Sequence, residues 1–575
     1  MIFNFINILF LTGVFAGIGL LFPWDMFRLD RRVDSLFLSF WVGWGIAILF
    51  LQIWHFFWPV GLPAFLLLLA AGAAGWMRSW KLIRDMMRSW DRRRAIVLAA
   101  FALVPAAMVA NHVLFSEPNS DYALYHIQSV KWISTYAIVP GLGNLYNPLA
   151  LNCSSFLYTA AIDSAWLEGR AYYVSSTLLA YITILQCGGG LYRLLYERKV
   201  AIPHLFLALM LPLLLMNVST THLSAYSPDP IVFFLHVVLA SEVLRLFESD
   251  LNEEQVRRRA VIIVFLAAVA VTVKLSLAVF GALCILPAVI LGIVRYGWWP
   301  WKQPRLWWIW ATCAALLILP WIGRNILISG YPLFPSAVLP IPVPWKMSHE
   351  IVLEAGRVIH VWAATNNAAF PYTADMVWFK QWWNAFPFFA RQAFIFGLGL
   401  LVLNQIALFL LRKRGTVDLG ATVLSMIAIV SIGFWFFMAP SYRHSGALIW
   451  IFLMSEILVA YRWLTGVGWA AQERALAFAL VLLITFWQPA NQFSNNISRK
   501  MLLIAPTEQA LAEIVIPKDQ YRQRETNSGL VINIPPEGIE ECWNAPLPCT
   551  TAPNFLASLR LIENGEMQKG FMRSK

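Results

Sequence analysis

Two aspartates stand beside apolar segments, where a carboxylate can act as a general base. Asp121 follows one apolar run, and Asp229 stands between two prolines just before another. At the level where membrane meets water, a carboxylate loses part of its hydration, which suits it to accept a proton from a substrate hydroxyl. Each aspartate also has the setting of a helix N-terminal cap, and both roles are compatible at one residue. Asp121 and Asp229 are the predicted catalytic residues.

Three basic residues lie at the same predicted level. Lys274 stands in the break between two apolar segments, Arg324 follows another, and Arg443 lies in the short polar stretch 439–446. Charged side chains near membrane depth are costly and tend to be functional, and the guanidinium fork suits phosphate. For each residue alone, snorkelling towards lipid headgroups is the alternative. The three together, opposite two carboxylates, predict a binding site for an anionic, lipid-linked ligand.

Three further side chains are candidates for substrate contact. His126 lies five residues after Asp121, Tyr226 lies three residues before Asp229, and His360 is isolated among apolar neighbours in a tryptophan-rich stretch. The alternative to substrate contact is that His360 is a buried histidine whose hydrogen bonds are satisfied by neighbouring residues. The tryptophans are also typical of an interfacial aromatic belt.

The cysteines and the missing motifs limit which metal sites and which kinds of sugar donor the sequence allows. None of the six cysteines shows metal-ligand spacing, but Cys542 and Cys549 lie seven residues apart in a polar tail, where a disulfide closes easily in an oxidising compartment. The sequence has no glycine-rich phosphate loop, no zinc helix motif and no serine nucleophile elbow. A donor activated on a lipid carrier therefore fits better than a soluble nucleotide donor.

The elements that must position these residues are membrane helices. The chain has 575 residues, of which 59% are hydrophobic and only 13% charged, against roughly 25% charged in soluble domains. Helix-length apolar segments exclude a β-barrel and predict an all-α polytopic membrane protein with about fourteen transmembrane helices. The segments lie near 3–23, 33–58, 60–77, 95–115, 171–195, 203–218, 229–247, 260–272, 275–294, 306–325, 390–411, 418–438, 446–462 and 475–487.

The net charge of +12 is explained by membrane topology rather than by nucleic-acid binding. The basic residues cluster in short breaks between apolar segments, near 78–94, 257–259 and 412–414, as is typical of cytoplasmic loops. With these breaks in the cytoplasm, the loops 116–170 and 329–387 fall on the opposite side. The tail after 487 falls there too. We expect the tail to be a small α/β unit, with a helix-like run at 507–514 and a strand-like run at 529–534. No cleavable signal peptide is expected.

This arrangement resembles the GT-C superfamily of membrane glycosyltransferases, which use sugars linked to polyprenyl phosphate or pyrophosphate on the non-cytoplasmic face. In that family the first large outer loop begins with an acidic residue, which Asp121 matches, and a second outer loop often carries another, which Asp229 matches. Basic residues near the outer surface bind the donor phosphate. The resemblance implies this role for Arg324 and Arg443, with Lys274 behind them.

The resemblance implies four regions: additional transmembrane helices at 1–94, a catalytic core at 95–325 that includes outer loop 116–170, an outer loop with C-terminal helices at 326–487, and a periplasmic tail at 488–575. It implies a multi-pass protein of the bacterial inner membrane. The expected activity is sugar transfer from a polyprenyl-phosphate donor to a glycan, lipid or protein acceptor at the periplasmic face. The first loop lacks an Asp-x-Asp signature, so a divalent cofactor, Mg²⁺ or Mn²⁺, is left open.

Two other functions remain open. A transporter or flippase of lipid-linked glycans predicts charged residues in the middle of helices. Here Glu456 is the main such residue, and the gathering of ionisable residues at one face favours an enzyme. An O-antigen-type polymerase or ligase is harder to separate, because it would also use outer-face arginines.

Overall fold

The computed structural model is a helical bundle with a small β-containing tail. It describes residues 1–22, 34–88, 90–115, 121–167, 169–196, 201–220, 223–249, 251–365, 378–411, 418–466, 520–526, 528–551, 556–563 and 565–573.

The α-helices in these ranges follow one another along the chain from residue 2 to residue 466. They are α1 Ile2–Leu20, α2 Asp34–Trp54, α3 Leu62–Arg88, α4 Arg92–His112, α5 Ile127–Thr135, α6 Leu142–Leu145, α7 Ser155–Ile162, α8 Ser175–Tyr196, α9 Ile202–Thr220, α10 Asp229–Arg245, α11 Glu253–Val273, α12 Ala278–Tyr296, α13 Pro304–Ser329, α14 His349–Thr365, α15 Trp378–Ala385, α16 Phe388–Leu411, α17 Leu419–Met438, α18 Tyr442–Ser445 and α19 Leu448–Gly466. A π-helical turn, Tyr122–His126, precedes α5.

Within the described ranges, nine helices are long and apolar enough to cross a membrane: α1, α2, α3, α4, α8, α12, α13, α16 and α17. This agrees with the predicted all-α multi-pass membrane protein. The predicted segments 203–218, 229–247, 260–272 and 446–462 also coincide with helices, namely α9, α10, α11 and α19. These four are not among the nine helices. The predicted segment 475–487 lies outside the described residues.

Helix α10 lies at the centre of the bundle. From Pro230 to Arg245 all of its residues are buried, and it packs against α8, α9, α11, α12, α17 and α19. A helix that is apolar on every side buries every side. Asp229 is the first residue of α10, so this packing fixes the position of its carboxylate.

Helices α11 and α12 meet at Lys274. Lys274 ends α11 in an extended conformation with φ −154°, and its N–H donates to Ala270 O at 3.1 Å. A short 3₁₀ turn, Leu275–Leu277, then leads into α12. The break therefore places the Lys274 side chain at the same end of the bundle as Asp229.

The tail forms two antiparallel hairpins that pack on the first loop. Strands β1 Arg522–Glu525 and β2 Val531–Ile534 pair, as do β3 Leu559–Leu561 and β4 Phe571–Arg573. Phe571 N–H donates to Pro140 O at 2.9 Å, and Asn144 Nδ2 donates to Phe571 O at 3.3 Å. The strand expected at 529–534 is present as β2, whereas the helix expected at 507–514 lies outside the described residues.

Candidate functional site

Four charged residues from four separate segments meet at one end of the bundle, and we call them the four-charge cluster: Asp121, Asp229, Lys274 and Arg443. Arg443 Nη1 lies 2.8 Å from Asp121 Oδ2, and its Nε lies 3.7 Å from Asp229 Oδ2. Lys274 Nζ donates a hydrogen bond to Asp229 Oδ1. Arg443 is 45% exposed, so the cluster reaches the surface. Its formal charges cancel, and each carboxylate has a cationic partner.

The loop that carries Arg443 is fixed by hydrogen bonds to its backbone carbonyls. Trp435 Nε1 donates to Ser441 O at 2.9 Å, and Trp382 Nε1 donates to Pro440 O. His360 Nδ1 lies 2.9 Å from Met438 O, just before the loop. His360 therefore supports the Arg443 loop, and the structure does not place it in the four-charge cluster.

Glycine is required where this loop turns into α19. Gly446 has φ +52°, and a Cβ there would lie 2.6 Å from His236 Nδ1. Ala447 N–H donates to the same nitrogen at 3.3 Å. The side chain of His236 in α10 thus holds the end of the Arg443 loop against the helix that begins at Asp229.

Two histidines, the buried His126 and the half-buried His444, lie beside the cluster. His126 is 1% exposed, its ring centroid lies 4.4 Å from that of Tyr125, and neither ring nitrogen has a partner among the described residues. Burial lowers the pKa of His126 to about 4 and that of His444 to about 3. Both imidazoles are therefore neutral near pH 7 and can exchange hydrogen bonds with a ligand without adding charge.

The cluster does not have the donor set of a divalent metal site. Within the described part of the chain, no three His, Cys, Asp or Glu side chains are grouped to hold a metal ion. Lys274 and Arg443 already neutralise the two carboxylates. A bound Mg²⁺ or Mn²⁺ needs free oxygen ligands and would have to displace them. Among the described residues, the cluster therefore does not offer the free oxygen ligands that such an ion needs.

Arg324 lies apart from the four-charge cluster. It is 2% exposed; its Nε donates to Asn152 Oδ1 at 3.0 Å, and its Nη1 hydrogen-bonds His55 Nδ1. His55 Nε2 lies 3.1 Å from Tyr136 O, an acceptor only, so Nε2 carries the hydrogen and Nδ1 accepts from Arg324. No carboxylate of the described residues lies within 4 Å of Arg324. Arg324 is thus a buried cation whose described partners are neutral.

Tyr226 belongs to a group of tyrosines next to the cluster. Its hydroxyl lies 3.5 Å from Asp163 Oδ1, and its ring centroid lies 5.3 Å from that of Tyr122, the neighbour of Asp121. Asp163 also accepts the N–H of Ala171 at 2.9 Å. Tyr226 therefore buttresses the segment that carries Asp121, and the structure shows it in no contact with the four charges.

The structure thus assembles four of the eight predicted charged and substrate-contact residues, with a fifth beside them. It brings Asp121, Asp229, Lys274 and Arg443 together with His126 beside them, while Arg324, Tyr226 and His360 make other contacts. Cys542 and Cys549 form a disulfide in the tail. Sequence reasoning missed His55, Asn152 and Asp163. A lone histidine within the predicted apolar segment 33–58 is a signal that could have drawn attention to His55.

A family model described as a domain of unknown function (DUF8201) matches residues 1–450. The match includes all four residues of the cluster and ends before the tail. No curated protein and no solved structure matches the chain.

Proposed function

We propose that this chain, which belongs to the DUF8201 family, is a membrane glycosyltransferase that moves a sugar from a polyprenyl-phosphate donor to an acceptor at the four-charge cluster. The observation that carries the proposal is the contact of Asp121 and Asp229 with Arg443 and Lys274 at one surface-reaching site. A carboxylate base and cations for a departing phosphate are what glycosyl transfer from a lipid phosphate requires.

The proposed transfer inverts the anomeric centre. Asp121 takes the proton of an acceptor hydroxyl, and the hydroxyl oxygen forms a bond to the anomeric carbon. The bond from that carbon to the phosphate oxygen breaks, and the electron pair stays on the phosphate. Arg443 and Lys274 stabilise this developing negative charge. In the absence of a ligand, Arg443 is paired with Asp121. The donor phosphate must therefore replace Asp121 as the partner of Arg443 before Asp121 can act as a base.

Arg324 is proposed as a third cation for the donor. A buried guanidinium without a carboxylate partner is costly, and an anion would offset that cost. Asn152 binds Arg324, and two residues later Ser154 N–H donates to Thr272 O at 2.9 Å, two residues before Lys274. The segment 152–154 therefore links Arg324 to the end of the helix that carries Lys274, and we propose that the donor phosphate binds between them.

The proposal includes a GT-C-like fold with about fourteen crossings, a place in the bacterial inner membrane, and the cluster at its periplasmic face. Each predicted segment within the described ranges coincides with a helix, which supports the helix count.

A transporter is less favoured because Glu456, the main charged residue in the middle of a predicted crossing, is buried and bound by Asn404 Nδ2 at 2.7 Å and by the Ser425 hydroxyl. It lines no open path.

The test is sugar transfer by membranes that contain the full chain, with radiolabelled polyprenyl-phosphate sugars as donors. Asp121→Asn is expected to lower the rate by about 10²–10⁴-fold, while a Glu254→Gln control at an exposed ion pair retains it. Equal rates in both variants would remove Asp121 from the mechanism. Movement of intact lipid-linked glycan across the bilayer without transfer would instead support a transporter, and joining of whole glycan chains would support a polymerase or ligase.

A further inference from the structure

The disulfide-closed part of the tail docks on the segment that begins at Asp121. We call residues 542–549 the disulfide loop and residues 121–135 the Asp121 segment. Cys542 and Cys549, which close the loop, are each 1% exposed. Inside the loop, Trp543 N–H donates to Ala123 O at 2.9 Å. This bond lies two residues from Asp121, although the two chain segments are more than four hundred residues apart.

The Asp121 segment donates further hydrogen bonds to the carbonyls of the disulfide loop. Gln128 Nε2 donates to Trp543 O at 2.9 Å and to Ala545 O at 3.1 Å. Lys131 Nζ donates to Asn544 O at 3.1 Å and also to Ala545 O. Gln128 is 1% exposed, so the docked loop shields these hydrogen bonds from water.

The backbone on both sides of this contact is irregular. Trp543 has φ +44°, a conformation that a non-glycine residue keeps only where its surroundings fix it. Its N–H and its C=O both bind the Asp121 segment. The facing residues, Tyr122–His126, form a π-helical turn, an arrangement that is rare and frequent at functional sites. Each irregular piece is therefore held by the other.

We propose that the disulfide loop is a positioning element for Asp121, and that Gln128 is the positioning residue through which it acts. This inference rests on the proposed function. The loop fixes the π-helical turn, and the turn fixes the direction in which Asp121 meets Arg443. The disulfide keeps the carbonyls of Trp543 and Ala545 in place for Gln128. The family match ends at residue 450, so the tail lies outside the matched region.

Hydrogen exchange of the full-length protein tests the contact without any substrate. Cys542→Ser with Cys549→Ser opens the loop, and Gln128→Ala removes its bonds from the other side. In both variants the amides of 122–135 are expected to exchange about tenfold faster. Arg522→Ala is the matched control, because it breaks an exposed ion pair with Glu537 in the same tail and should leave these amides unchanged. If the double cysteine variant fails to fold, Gln128→Ala carries the test.

A kinetic comparison separates positioning from simple stabilisation. The kcat for sugar transfer is expected to fall about tenfold in Gln128→Ala, while the Kd for polyprenyl phosphate stays at the wild-type value. Unchanged exchange, or unchanged kcat with faster exchange, would overturn the inference. If the wild-type chain transfers no sugar, the proposed function fails, and the exchange result still reports whether the disulfide loop holds the Asp121 segment.

Discussion

Both ends of helix α10 carry ion pairs, but only one end is open to ligands. At its start, the four-charge cluster keeps Asp121 22% and Arg443 45% exposed. Near its end, Glu242 lies 2.9 Å from Arg259 and 3.6 Å from Arg245, and these three side chains are at most 7% exposed. We call these three residues the sealed network. The two groups use the same kinds of charge, about 20 Å apart along one helix.

The difference indicates two roles for buried charge in one bundle. In the sealed network the three charges are buried against one another, with Glu248 4.0 Å from Arg259, and their loss affects folding. In the four-charge cluster the charges come from an acidic loop, a helix start, a helix break and a short turn, and the guanidinium reaches the surface. A ligand phosphate can therefore exchange with a carboxylate there, which it cannot do in the sealed network.

The largest expected effect on stability comes from the sealed network. Glu242→Gln leaves Arg245 and Arg259 buried without their nearest carboxylate, and the free energy of unfolding is expected to fall by about 3–5 kcal/mol. Thermal unfolding in detergent measures this. The control Glu254→Gln, at an exposed pair with Arg257 and Arg258, should cost less than about 1 kcal/mol. Equal melting temperatures for the two variants would contradict the claim that the sealed network stabilises the fold more than an exposed ion pair does.

An intermediate effect is expected from Lys274. In Lys274→Met, Asp229 keeps only Arg443, at 3.7 Å, and loses a hydrogen bond to a charged group, which is worth about 1.5–3 kcal/mol. Lys274→Arg should recover part of this loss. The measurement is the same thermal unfolding series, and a loss as large as that of Glu242→Gln would place Lys274 with the sealed charges.

A smaller, pH-dependent effect is expected from His126. Its pKa is lowered by burial from 6.5 to about 4 in the folded chain. Below pH 6.5 the unfolded chain gains a proton that the folded chain does not, so stability is complete above pH 6.5 and falls as the pH drops towards 4. Between pH 7 and 5 the loss is about 2 kcal/mol.

The variant His126→Gln removes the titrating group and should flatten the dependence of the melting temperature on pH in this interval. An unchanged slope in the variant would mean that His126 is accessible to protons in the folded chain. His444, whose pKa is lowered by burial to about 3, contributes in the same direction, so part of the slope should remain in the variant.

The helices could be predicted because their signal is local. A run of apolar residues needs no partner to be recognised, and even the short segment 260–272 and its close neighbour 275–294 coincide with helices that meet at Lys274. The same apolar runs also placed Asp121, Asp229 and Arg443 at one depth relative to the membrane. Their pairing was left open, because it depends on how the loop at 439–446 folds back across α10.

The contacts that could not be predicted join segments far apart in the chain. His55 and Arg324 are 269 residues apart, and no local pattern marks them as partners. The same holds for the bond between Gln128 and Trp543, 415 residues apart. The spacing of Cys542 and Cys549 indicated a closed loop, but nothing in the sequence showed that this loop docks beside Asp121.

Binding of polyprenyl phosphate to the purified chain tests the central claim most directly. Arg443→Ala is expected to weaken the affinity by about 10–100-fold and to change the free energy of unfolding by less than about 1 kcal/mol. Arg357→Ala, at an exposed pair with Glu354, serves as the control and should bind like the wild type. Polyprenol without the phosphate should bind weakly to all three proteins. Equal affinity of the Arg443→Ala variant and the wild type for polyprenyl phosphate would contradict the assignment of the four-charge cluster as the donor site.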